Sequence, residues 1–338
     1  LKAEADAAEE AQNKTEQLGE EMDKTSKKSE DFGDKSKNAV VGLDDILATV
    51  GIVAVLNKIA DAFSDASDKA TAFETNVAMV STVADTTVLS ADQLSTQISG
   101  LSKDTAKNVN ELADATYNAI SAGVATEGAV ETVGEASKLA KAGFTSSASA
   151  LSVLTTALNA YQLEASEVTN ISDSLITSQN LGVMTIDQLS SSMGKAISTA
   201  SAYSIDLYNL ESGYISLTKA GVSVEESTTY ISSMFNELGD SGSEVAGVIM
   251  EETGQSFGQL MKSGYSLADV LEILYNSVDQ DSEALMNLWG SAEAGKAANA
   301  VINQGLDTFN TNLDKLRNSA GTTEKAYSAM TNTTQYAT

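Results

Sequence analysis

The sequence predicts an all-α fold, a helical-hairpin array or solenoid-like bundle with a long charged helix at its N-terminal end. Three observations carry that prediction. None of the 338 residues is proline, where average usage would give about 17, so helices run unbroken and turns rely on Gly, Ser and Asn. Polar caps recur along the chain, each opening an apolar stretch of helical period. No stretch alternates convincingly with the period of two that marks a half-buried strand.

Residues 1–38 hold 11 acidic residues and 7 lysines. Glu10–Lys14 and Glu20–Lys24 sit at the i,i+4 spacing that supports a solvated helix. Leu18 and Met22 are its spaced anchors, but Asn13, Thr15 and Gly19 break the heptad, leaving a charged helix with a weak coiled-coil end. Residues 39–72 read as apolar connecting helices. The uninterrupted apolar run from Ile46 to Leu56 is 11 residues long, whereas a spanning helix needs ~20. With Asp44, Asp45 and Lys58 bracketing it, a buried or self-associating helix is the better reading.

Residues 73–320 read as one helical core domain. Its predicted caps are Ser90, Asn108, Thr126, Ser147, Glu164, Thr185, Ser204 and Ser223. At these positions a side-chain oxygen can accept from an orphan N–H, and first-turn acids such as Asp92, Asp187 and Glu225 suit the helix dipole. The mean spacing, about 19 residues, fits a helix of ~12–15 residues and a short turn. Ala122-Gly123-Val124, Ala142-Gly143-Phe144 and Ala220-Gly221-Val222 place glycine where a helix end favours the left-handed conformation. Lys141-Ala142-Gly143 and Lys219-Ala220-Gly221 lie 78 residues apart, which hints at an old duplication. Residues 241–320 are looser, with helices expected from Leu267 to Val278 and from Asp281 to Trp289. Residues 321–338 read as the start of a following helix. Leu1 and Thr338 both look like cut ends of a longer chain.

Composition narrows the chemistry. With no His and no Cys there is no Ser-His-Asp triad, no Cys-His dyad, no His/Cys zinc site and no disulfide. The net charge of −27, from 20 Lys+Arg against 47 Asp+Glu, disfavours specific nucleic-acid binding and an anionic membrane surface. Gly290 to Lys296 satisfies G-x-x-x-x-G-K, but a phosphate loop needs a preceding strand and a Ser or Thr after the lysine. Here a helical segment with Leu285, Leu288 and Trp289 precedes, Ala297 follows, and Glu293 would put an anion in the cradle. Asp44-Asp45 reads as a cap. Asp279-Gln280-Asp281 lacks the glycine and spacing of a calcium loop. Tyr203, Tyr208 and Tyr214 are better explained by packing than by binding. No catalytic, cofactor-binding or metal-binding residue is singled out.

These residues resemble a known family. Phe73-Glu74 through Met79 to Val83, then Leu89-Ser90 and Gln93-Leu94, look like the opening of the core region of phage tail tape measure proteins. Ala113 to Gly123, Lys141-Ala142-Gly143, Leu158-Asn159-Ala160-Tyr161, Leu189 to Ala200 and Tyr214 to Glu225 continue in the same order. Gly290 to Lys296 matches as well, and Asn318 to Met330 resembles the exit into the next long helix. The resemblance covers about residues 73–330. Each motif is soft alone; their order and spacing are fairly specific. The acidity and the Ser/Thr richness depart from the pattern.

What the resemblance implies is a structural virion protein, not an enzyme. It would template tail tube length and assembly and leave the tube at DNA ejection. Implied partners are the tail tube protein, tail tip or distal tail proteins, tail assembly chaperones and further copies of the chain. Implied locations are the tail tube lumen or tip, and the host cytoplasm during assembly. No cofactor is implied. One alternative is a membrane-active helical protein that contacts the host membrane during DNA delivery through residues 39–60. Another is an enzyme, since some relatives resemble multidomain chains with muralytic or peptidase modules, expected outside this stretch.

Overall fold

Every regular element in residues 71–331, which the computed structural model describes, is helical. The charged and apolar segments expected in residues 1–70, Asp44-Asp45 among them, and residues 332–338 lie outside the described residues. Along the chain come α1 (71–83), α2 (Ala91–Thr105), α3 (Val109–Ser121), α4 (Thr126–Ala142) and α5 (Ser147–Tyr161). A 3₁₀ turn at Ala165–Glu167 leads into α6 (Val168–Leu181), followed by α7 (Ile186–Ala202), α8 (Leu207–Lys219) and α9 (Val224–Gly239). The looser part holds α10 (Glu244–Thr253), α11 (Phe257–Lys262), α12 (Leu267–Ser277) and α13 (Ser282–Asn287). Then α14 (Ala292–Gln304), α15 (Leu306–Arg317) and α16 (Thr322–Thr331) complete the set.

The caps explain most of these starts. Ser90 and Thr185 form capping boxes with Gln93 and Gln188, and Asn108 and Ser223 accept from Asn110 and Glu226 N–H. Four expected caps are corrected. Thr126 is the first helical residue after Ala125; its hydroxyl accepts instead from Asp85 N–H at 2.8 Å, tying the turn after α1 to α4. Ser146, not Ser147, caps α5, while Ser147 Oγ accepts from Lys107 Nζ. Ser204 is left-handed at φ 63°, and Asp206 caps α8 through Asn209 N–H at 2.7 Å. Glu164 precedes the 3₁₀ turn and makes no side-chain cap bond.

The helix ends divide similarly. Gly221 takes the left-handed conformation at φ 88°, as its position after α8 predicts. Gly143 does not: its φ is −94°, and Phe144 carries the positive φ of 55°. Glycine is needed at 143 for closeness, because a Cβ there would lie 2.6 Å from Ile186 Cγ1 and 3.0 Å from Leu139 O. The two Lys-Ala-Gly turns therefore close by different geometries.

Packing follows chain order at first. Helix α4 packs on α5, α5 on α7, α7 on α9, and α9 on α14. The array then closes on itself: α15 packs on α6 and α8, and α16 returns to α4 and α6. An open solenoid would confine contacts to neighbouring repeats; the hydroxyls of Ser172 and Thr323, 151 positions apart, lie 3.0 Å from each other. One continuous apolar core runs from Val80 to Leu316, built mainly of Ala, Leu, Ile and Val, with Tyr214, Phe235, Phe257 and Phe309 as its largest fully buried side chains. At its centre lies α8, buried at Leu207 and at every position from Asn209 to Thr218.

Candidate functional site

The G-x-x-x-x-G-K stretch is a junction between α13 and α14. Glu237 of α9 occupies the place a phosphate would need: its carboxylate accepts from Gly290 N–H at 2.7 Å and from Ser291 Oγ at 2.6 Å. Gly295 is small because a Cβ would meet Met286 Cε at 2.9 Å. Lys296 lies over the Tyr230 ring, 5.4 Å from its centroid, a cation–π contact rather than a phosphate contact. Asp279 and Gln280 both adopt positive φ in an exposed turn, and Asp281 caps α13 by accepting from Glu283 and Ala284 N–H. Among the described residues, no group of three or more acidic side chains could hold a metal ion.

The site where buried polar chemistry concentrates is α8, which periodicity did not reveal. A helix buried on all sides is ordinarily apolar all round, yet α8 carries Asn209, Glu211, Ser212, Ser216 and Thr218 in its buried stretch. Most are spent locally. Ser216 and Thr218 bond back to the carbonyls of Ser212 and Tyr214. Asn209 Oδ1 accepts from Leu267 N–H at 2.8 Å and so fixes the start of α12. The Tyr214 and Thr228 hydroxyls lie 2.6 Å apart, joining α8 to α9. Tyr208 is half-buried and Tyr203 is the C-cap of α7, so the three tyrosines do not share a site.

Ser212 Oγ finds no hydrogen-bond partner among the described residues, and Glu211 is a carboxyl only 1% exposed. Burial pushes its pKa up to about 8, while the hydroxyls of Ser174 and Ser178 act in the opposite direction and Asp206 adds to the rise. The geometry agrees. Ser174 Oγ lies 3.0 Å from both Ile171 O and Glu211 Oε1, and one hydroxyl proton cannot serve two acceptors. A protonated Glu211 resolves this by donating to Ser174, which donates on to Ile171. Among the described residues, Glu211 Oε2, Ser178 Oγ and Tyr161 Oη have no hydrogen-bond partner, and burial pushes Tyr161 upward too. Ser174 of α6 and Glu211 of α8 thereby join the two helices within the core.

A second buried carboxylate, Asp173 on α6, is also only 1% exposed and holds the start of α16. Its Oδ2 accepts from Gly321 N–H and its Oδ1 from Thr323 N–H, both at 2.7 Å. Across the rim, Lys138 of α4 pairs with Glu324 at 2.8 Å. That pairing lowers the Glu324 pKa and raises that of Lys138. Glu135 beneath them is raised by burial.

The family model of phage-related minor tail proteins matches residues 95–290, more than half of the chain, and the chain belongs to that family. It is therefore a phage tail protein, a virion component. It is also similar to a probable tape measure protein of Clostridium phage phiCD119, 28% identical over 296 residues. That match covers 85% of this chain and 31% of the relative, so the chain spans about a third of the relative's length. No solved structure matches it. No helix among the described residues is long and apolar enough to cross a membrane; residues 39–60, which carry the membrane-active alternative, lie outside them.

Proposed function

We propose that the chain is part of a tail tape measure protein, which templates tail tube length and assembly and leaves the tube when DNA is ejected. The observation that supports this most is the match to a probable tape measure protein over 85% of the chain, in a family of tail proteins. The closed core from α2 to α15 is a poor ruler, since a bundle covers less length per residue than a single helix rising 1.5 Å per residue. In this reading the core is the docking body, seated at one end of the tail against tail tip or distal tail proteins. The measuring length comes from helix outside it, in contact with the tail tube protein and, during assembly in the host cytoplasm, with tail assembly chaperones. The role is structural rather than enzymatic. A nonsense codon at Gln93 in the parent gene tests it. Infected cells should then yield filled heads with no tails of defined length, whereas virions with normal tails would contradict the proposal.

A further inference from the structure

We propose that α16 is a polar latch, a helix held to the body through Asp173 and able to come away as a unit. This rests on contacts within the chain and not on the tape measure reading. Its first support is what α16 lacks. None of its apolar side chains is fully buried; Thr323, at 1% exposed, is its one buried residue, and Ala326 only leans on the core. By contrast, the preceding α15 buries Phe309, Leu313 and Leu316.

The polar contacts that hold its start are directional. Asp173 takes the two N–H groups of Gly321 and Thr323, the Ser172 and Thr323 hydroxyls meet at 3.0 Å, and Lys138 reaches Glu324 at 2.8 Å. A buried carboxylate is costly unless it is hydrogen-bonded, and here its donors are Thr323 of α16 and Gly321 just before it, at the positive end of the helix dipole. The dependence is mutual. If α16 leaves, water replaces its N–H groups on Asp173, so each state satisfies the charge while a half-docked helix would not. Gly321, at φ 80°, supplies a backbone joint between α15 and α16.

Hydrogen exchange read by mass spectrometry on the full chain tests this. In the wild type, α16 amides should exchange at least ten-fold faster than those of α4, α6 and α8. Asp173→Ala should speed α16 at least a further ten-fold with α4 and α8 unchanged. Because that substitution lies in the core, Glu324→Gln on the exposed rim provides a second arm, with a rise of about two-fold confined to α16. Exchange of α16 in step with α4 and α6 in the wild type would overturn the proposal. So would protection lost across the whole body in Asp173→Ala with no response of α16 in Glu324→Gln.

Discussion

At the scale of single residues, two positions separate what a side chain does from what its spacing suggests. Glu211 is an acid held neutral by its surroundings, and the sign of its effect follows. Its folded pKa of about 8 lies above the ordinary 4.5, so the folded state binds more protons than the unfolded one between those pH values. Stability is then lost as pH rises through that window, at about 1.4 kcal/mol per pH unit. Glu211→Gln keeps the shape and cannot ionise. Chemical denaturation should find it close to the wild type at pH 4 and more stable by several kcal/mol at pH 9, whereas equal stability across the range would mean that Glu211 is charged in the core. Phe144 is the second position, 74% exposed and left-handed. Phe144→Gly should stabilise by about 0.5–1 kcal/mol, because it removes backbone strain and no packing. Gly143→Ala, one residue earlier, should destabilise by about 1–3 kcal/mol through the Ile186 contact. The sequence contained the triplet Ala142-Gly143-Phe144 but not which of its residues turns. That depends on how near α7 comes, a tertiary fact.

Helices were the most legible scale, because their signals are local. Ser90 with Gln93 and Thr185 with Gln188 state a start within four residues, and both capping boxes stand in the structure. Where a hydroxyl has a stronger distant use the local rule fails, as at Thr126, which serves Asp85 instead. The central place of α8 was not legible, since nothing local to Asn209, Glu211 and Ser212 shows that α6, α9, α14 and α15 surround them. Nor was the small-on-small contact by which α4 meets the turn after α5: a Cβ on Gly128 would lie 2.2 Å from Ala165 Cβ. Gly128→Ala should therefore destabilise by about 1–3 kcal/mol. Ala165→Gly in the same chain should recover much of that loss, giving a coupling above ~0.5 kcal/mol in a double-mutant cycle. Independent, additive losses would show that the two elements are not in contact.

Over the whole molecule, missing residue types and excess charge were informative before any contact was known. A chain without proline, histidine or cysteine is suited to long helices and poorly suited to nucleophilic or zinc chemistry. The candidate site was not legible in the sequence, because Asp173 and Glu211 gain their importance only from burial. The −27 net charge also bears on the proposed role, since an acidic protein is repelled by DNA behind it and by an acidic lumen. Charge-reversed surface variants should impair DNA ejection, and normal ejection would remove that idea. The central claim concerns length. Residues 3–37, as continuous helix, would span about 52 Å at 1.5 Å per residue. Deleting Ala3 to Lys37 in frame from the parent gene and measuring tails by electron microscopy tests the claim most directly. Tails shortened by about 52 Å are the predicted result, and tails of unchanged length would contradict a measuring role for this segment.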